Sequence, residues 1–242
     1  MSDLLVAFSG GKDSTAMVLR MAELGERGVL WFTPAGNEPP ELQSHIESIR
    51  DYVQWPLVVP DAPTLRELID EFNAMPNARM RWCTRRIKIE PCIVHLKRHP
   101  GSTLCVGLRG DEEERQGLYG DYATYRYPMR EWGWSIHDVR RYLDDAGVQV
   151  PKRTDCMWCY AQRLGEWYDL WRDRPEMYAE AEALEDRTGH TLRSDSRDTW
   201  PAALKEMRIK FEDEQHPRTA KIQLPMFEED EDEAGACRIC RM

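Results

Sequence analysis

The run SGGKDST, Ser9 to Thr15, lies between an apolar pentapeptide and a helical pattern, and no other feature of the chain constrains the fold so tightly. Leu4 to Phe8 reads as a buried strand. Asp13 to Leu24 reads as a helix, with Met17, Leu19, Met21 and Leu24 among its apolar positions. Gly10 and Gly11 permit a tight turn and a close backbone approach to an anion. The N–H groups at the start of the following helix, with the helix dipole, favour phosphate at that point. Lys12 adds a point charge, and Ser9, Ser14 and Thr15 add hydroxyl donors. The run matches neither the Walker pattern nor the GxGxxG dinucleotide pattern. The plain alternative is a glycine turn followed by a helix capped by Asp13 or Ser14.

The same alternation continues downstream. Val29 to Phe32, Leu57 to Val59 and Leu104 to Leu108 read as strands, and Leu42 to Tyr52 and Leu65 to Phe72 as helices. This predicts an α/β fold, a parallel twisted sheet with helices on both faces. Ligands on such sheets sit at the carboxyl ends of the strands, near the switch in strand order. After about residue 130 the strand signals fade, and Ser135 to Asp145 and Gly165 to Leu184 look helical. The expected organisation is a nucleotide-binding domain over 1–150, a helical extension over 151–226 that carries cysteines, and a flexible acidic tail over 227–242.

Composition matters here for what it excludes. The chain of 242 residues carries a formal charge of −10, which argues against nucleic-acid binding over the whole surface but not at a local basic site. Nine Trp, nine Tyr and eleven Met supply large side chains for a core and argue against disorder. No apolar run approaches a membrane span, and the N-terminus has no signal-like pattern, so a cytoplasmic protein without membrane contact is expected.

Seven cysteines are too few for a disulfide scaffold in a chain this long. Cys156 and Cys159 form one C-x2-C pair, and Cys237 and Cys240 form another. The 77 residues between the pairs far exceed the spacing of a compact zinc module, although a long-range zinc site stays open. Cys92 and Cys105 fall within a helix and a strand and read as core thiols. Arg79 to Arg98 holds seven basic residues against the single acid Glu90, which suits contact with a polyanion; a solvated charged face is the alternative. Arg109 and Arg115 flank the acids Asp111 to Glu114. They read as a phosphate clamp at a strand end or, alternatively, as partners of those acids. Trp167 and Trp171, at i and i+4, read as core. The six histidines show no metal spacing, and no catalytic role is assigned to them.

Five segments carry a family resemblance: SGGKDS, RWCTRRIKIEP (Arg81 to Pro91), VGLRGDEEER (Val106 to Arg115), YPMREWGWSIHDVRRYL (Tyr127 to Leu143) and DCMWC (Asp155 to Cys159). The first resembles the PP-loop of the adenine-nucleotide α-hydrolase superfamily. The set, in this order, resembles the branch like phosphoadenosine phosphosulfate (PAPS) reductase, which includes DNA phosphorothioation sulfurtransferases and related phage proteins. The resemblance implies an adenine nucleotide, ATP with Mg²⁺, cradled by Ser9, Gly10, Gly11, Lys12, Asp13, Ser14 and Thr15. Glu38, in the loop after the second strand, is a further candidate for the pocket. Lys12, Asp13, Arg109 and Arg115 are the candidate catalytic groups.

In members of the family that hold an iron–sulfur cluster, a tandem cysteine pair joins a later C-x2-C. Here Cys83 stands at the first tandem position and Thr84 at the second. The resemblance therefore implies Cys83, Cys156 and Cys159 as ligands of a cluster, read as 4Fe-4S, with Cys240 or Cys237 as the fourth or with one iron open; zinc remains the alternative metal. The reductases also end in a nucleophilic cysteine motif that this chain lacks.

The implied activity is ATP-dependent sulfur transfer. A nucleic-acid or related acceptor is adenylated with loss of pyrophosphate, and sulfur from a cluster or a cysteine persulfide then displaces AMP. A protein that donates sulfur is a candidate partner. The rival readings are a PAPS reductase that produces sulfite and a nucleotide-binding subunit without turnover.

Overall fold

Each apolar run in the first sixty residues leads into a helix or loop that carries the chain back, so successive strands point the same way. The computed structural model describes residues 4–112, 114–115, 119–122, 124–194, 198–215 and 217. In chain order the elements begin with β1 (Leu4–Ala7), α1 (Lys12–Glu23), β2 (Val29–Trp31), α2 (Pro40–Val53), β3 (Leu57–Val58) and α3 (Leu65–Phe72). A π-helical turn, Thr84–Ile89, leads into α4 (Glu90–Arg98), followed by β4 (Thr103–Cys105), β5 (Thr124–Arg126) and α5 (Pro128–Glu131). The helices α6 (Ile136–Asp145), α7 (Leu164–Asp173), α8 (Pro175–Thr188) and α9 (Leu204–Glu212) complete the order. No described helix is long and apolar enough to cross a membrane.

The described residues form two compact units, the first from 4–63 and 84–155, the second from 64–83 and 156–217. The first contains a five-stranded parallel sheet in the order β3-β2-β1-β4-β5. Central β1 pairs Leu5 with Val29 on one side and with Leu104 on the other. Alternate side chains go to opposite faces. Val6, Phe8, Leu30 and Phe32 join the buried face of α1 (Met17, Met21), α2 (Leu42, Ile46) and α6 (Val139, Leu143). Leu5, Trp31 and Leu104 join Cys92 and Leu96 of α4 on the other. Helices thus cover both faces, as the strand–helix alternation predicts. The strand order reverses at β1, so the loops after β1 and β4 border the place where such sheets bind ligands.

The second unit is helical. Thr64 and Glu67 form a capping box that starts α3, with the Thr64 N–H donating to the Glu67 carboxylate at 2.8 Å. Arg66 of α3 pairs with Glu180 of α8 at 2.5 Å, and Arg187 of α8 pairs with Asp70. Trp167 is fully buried and meets the Tyr178 ring edge-on at 6.4 Å; Trp171 is half-buried against Phe211. Deeper in, the buried Glu185 accepts the N–H groups of Leu192 at 2.8 Å and Leu204 at 2.7 Å. That one carboxylate fastens α8 to the following loop and to the start of α9.

Three details differ from the sequence expectation. The helix expected over Gly165 to Leu184 is two helices, broken at Arg174 (φ −141°, ψ 62°). Pro175 lacks an N–H and drives its predecessor out of the α region. The strand expected to run to Leu108 ends at Cys105, where Gly107 passes close to Ser14 at the start of α1. The edge strand β5 gave no apolar signal, since its sequence is Thr-Tyr-Arg. The acidic run after residue 227, with Cys237 and Cys240, lies outside the described residues.

Candidate functional site

The loop after β1 is shaped by its own hydroxyls. The Ser14 hydroxyl donates to the Gly11 carbonyl at 3.0 Å and lies 3.2 Å from the Ser9 hydroxyl; the Gly11 N–H donates to Ser9 Oγ at 3.3 Å. Gly10 has φ +72°, and a Cβ there would come within 2.5 Å of Leu42 Cδ1. Gly11, rather than Asp13 or Ser14, is the N-cap residue, with extended backbone and no side-chain cap. The helix therefore begins at Lys12 itself. The first turn of α1 leaves N–H groups without intrahelical acceptors, and the dipole adds to them. Lys12 is 4% exposed beside that turn. Backbone donors and the buried Lys12 thus lie at the start of one helix at one end of the sheet, an arrangement suited to phosphate.

Asp13 introduces a negative charge into this anion site, and the structure shows how half of it is held. Its Oδ2 accepts from Arg109 Nη1 at 3.0 Å, while Oδ1 is shielded from solvent and has no hydrogen-bond partner among the described residues. Arg109, in the loop after β4, is 5% exposed. It also donates to Asp111 at 2.9 Å and lies 3.7 Å from Glu112. Burial pulls the Arg109 pKa down, but Asp13, Glu112 and Asp111 outweigh it, and the net shift is upward. Glu112 in turn pairs with Arg115. Arg130 braces the loop by donating to the carbonyls of Arg109 at 3.3 Å, Arg115 at 2.6 Å and Glu112.

Arg109 and Arg115 thus face carboxylates in this structure rather than an open phosphate site, which favours the acid-pairing alternative for both. Arg109 positions Asp13. Thr15 differs from expectation as well. Its hydroxyl lies 3.0 Å from His45 Nε2 in the interior, so it is not presented to a ligand. Burial lowers the His45 pKa and favours the neutral ring. Glu38 closes its own turn by accepting the N–H of Gly36 at 3.0 Å and that of Ala35. Beside it, both amide atoms of Asn37 are shielded and have no partner among the described residues.

His45 and Arg130 are supports that the sequence reading missed. His45 had a signal, because it shares the buried face of α2 with Leu42, Ile46 and Ile49. Arg130 had none, since its carbonyl partners depend on the loop's conformation.

The cysteines of interest belong to the second unit. Cys83 and Cys159 are buried and Cys156 is half-buried. The Cys159 N–H donates to the Cys156 carbonyl at 3.1 Å, so the C-x2-C pair forms a turn. Tyr160 is raised above its ordinary pKa, first by burial and then by the Cys83 and Cys159 thiols, with Arg81 opposing. Cys83 and Cys159 therefore share the surroundings of Tyr160. Among the described residues, however, no group of three or more His, Cys, Asp or Glu side chains is arranged to hold a metal. Cys83, Cys156 and Cys159 do not form the expected ligand set for 4Fe-4S or zinc, and Cys240 lies outside the described residues. Burial pushes the thiols of Cys92 and Cys105 up to about 12, which suits core residues.

Residues 3–152 match the phosphoadenosine phosphosulfate reductase domain family. No curated protein matches the chain by sequence. Among solved structures, the chain is similar to the phosphoadenylyl-sulfate (PAPS) reductase of Candida auris in its phosphate complex. That likeness has a TM-score of 0.50 and 12% identity, and covers 63% of this chain and 76% of that one. Weaker likenesses are to a predicted subunit of tRNA methyltransferase from Methanocaldococcus jannaschii (TM-score 0.36, 16% identity, 62% of this chain and 91% of that one) and to the NH3-dependent NAD synthetase of Campylobacter jejuni (TM-score 0.36, 13% identity, 77% and 84%). At these identities the Candida auris likeness speaks for the fold alone.

Proposed function

The chain belongs to the phosphoadenosine phosphosulfate reductase domain family, and from that premise we propose that it is an ATP-dependent enzyme that adenylates an acceptor and releases pyrophosphate, with sulfur transfer as the second step. The single observation that carries the choice of ATP is Asp13. A bare carboxylate oxygen repels a phosphate, but it suits a hydrated divalent cation that carries a triphosphate. Oδ1 is shielded and without a protein partner among the described residues, while Arg109 fixes the other oxygen. A phosphosulfate ligand needs no such cation.

In this reading the N–H groups of the first turn of α1 and the Lys12 ammonium hold the phosphates. Asp13 Oδ1 would hold Mg²⁺, which would offset charge on the phosphate oxygens. Arg109 keeps the Asp13 carboxylate in place, and Ser9, Ser14 and the Thr15–His45 contact keep the loop in one conformation. An acceptor oxygen attacks the α-phosphorus, the bond to the bridging oxygen breaks, and pyrophosphate leaves. A sulfur nucleophile then displaces AMP. No step is assigned to an iron–sulfur cluster, because the described thiols do not gather into a ligand set. The acceptor we favour is a nucleic acid or a related polyanion, which the basic run Arg79 to Arg98 would suit.

The family's own name favours a second reading, reduction of PAPS to sulfite. The test is to titrate ATP, with and without Mg²⁺, and PAPS against the protein while pyrophosphate and sulfite are followed. Binding of ATP that depends on Mg²⁺, with pyrophosphate release lowered about 100-fold or more in Lys12→Ala, supports adenylation. Thiol-dependent sulfite from PAPS without ATP cleavage overturns it.

A further inference from the structure

A cavity lies in the first unit, and the phosphate loop takes no part in it. It has a volume of about 360 Å³, and its lining includes Trp31 at the end of β2, Asp61 after β3, Arg86 in the π-helical turn, and Glu90, His95 and Arg98 of α4. None of residues 9–15, nor Arg109, lines it. The volume falls within the range of small-molecule sites. Local π-helical geometry, as at Thr84–Ile89, recurs at functional sites.

The chemistry of the walls is specific. The Trp31 and His95 rings meet at 4.7 Å with a 51° tilt, and the His99 ring stacks on His95 at 4.2 Å and 23°. Burial, then His99 and Arg98, lower the His95 pKa, so the ring behaves as a neutral aromatic wall. Val94 lines the cavity too and is 46% exposed, which leaves apolar surface at the mouth. Arg98 is exposed and forms no ion pair with any described residue. Glu90 is committed to Arg85 at 2.9 Å and Arg86 at 3.4 Å. Asp61 has no such commitment among the described residues.

A ligand that satisfies all of these groups has a flat ring for Trp31 and His95, an anion for Arg98, and an amino donor for Asp61. We infer that this cavity binds one nucleotide unit, separate from the nucleotide at the phosphate loop. The base lies against the aromatic walls, the phosphate meets Arg98, and Asp61 accepts from an amino group of the base. The unit comes either as a free mononucleotide or as one residue of a single strand. The inference does not depend on the reaction assigned to the loop.

The test uses the full chain carrying Lys12→Ala, which disables the loop, without Mg²⁺ and with the fold checked by circular dichroism. AMP, CMP and UMP are titrated by calorimetry, and a labelled single-stranded oligoadenylate by anisotropy. The expected result is that Lys12→Ala still binds AMP and CMP, more tightly than UMP. Adding Arg98→Glu weakens the binding about tenfold or more, as does adding His95→Ala. A strand bound at least about tenfold more tightly than AMP, with the same sensitivity to Arg98→Glu, identifies the strand as the source; equal affinities identify the free nucleotide. Loss of all nucleotide binding in Lys12→Ala of native fold overturns the inference. So does binding that Arg98→Glu and His95→Ala leave unchanged.

Discussion

Both units bury an ionisable side chain, and they treat its charge in opposite ways. In the first, Arg109 is ringed by Asp13, Asp111 and Glu112, and these carboxylates hold it firmly protonated although it is buried. In the second, Glu185 is just as deep, but its partners are two backbone N–H groups and, among the described residues, no cation. Burial dominates there and pushes its pKa up to about 7, against the opposing pull of the two hydrogen bonds. A charge network can serve an anion site by fixing a carboxylate such as Asp13 in place. A lone buried acid serves as a clasp whose strength follows pH.

The contrast is broken most severely at Arg109. Arg109→Ala leaves Asp13 without its cation, while Glu112 keeps Arg115, and removing one partner of a buried pair costs about 3–5 kcal/mol. Chemical denaturation of the variant should show a loss of that order, and pyrophosphate release should vanish with it. A near-native melt would mean that the network is ornamental.

Glu185 gives the next largest effect, and its sign follows from linkage. Its folded pKa of about 7 lies above the ordinary value of 4.5, so the folded state holds the proton more tightly. The stability contributed is therefore complete below about pH 4.5 and is lost as the pH rises to about 7, by on the order of 3 kcal/mol. Thermal melts across that range should show the slope, and Glu185→Gln should flatten it. A slope unaffected by the substitution would place the titrating group elsewhere.

A smaller change is expected in the loop itself. Gly10→Ala meets both the φ of +72° and the Leu42 methyl, so a destabilisation of about 1–3 kcal/mol is expected, with weaker nucleotide binding. Arg98→Glu, at an exposed position, sets the lower bound. Stability should change by no more than about 0.5 kcal/mol, in contrast with Arg109.

These positions also explain what the sequence could and could not disclose. The phosphate loop was legible because its parts are contiguous: strand, two glycines and helix start within a dozen residues. The sheet was legible from the same alternation. The acids at 111 and 112 announced themselves as partners for Arg109, but the bond to Asp13, 96 residues away, needs β1 and β4 side by side. The Trp31 cavity draws on β2, the loop after β3 and α4, and no local pattern joins them. For the thiols, sequence gave candidates without geometry, and Cys83 gathers with Cys159 near Tyr160 but not into a metal set. The break at Pro175 was visible and was outweighed by helical residues on either side.

The most direct test of the central claim is to identify the bond that is cleaved. ATP labelled in the α- and γ-phosphates would be incubated with the full chain, Mg²⁺ and an oligonucleotide acceptor, and the products separated. The account predicts pyrophosphate and label from the α-phosphate in AMP or on the acceptor, both lost in Asp13→Asn. Release of orthophosphate with ADP would contradict it, because the loop would then act on the γ-phosphate.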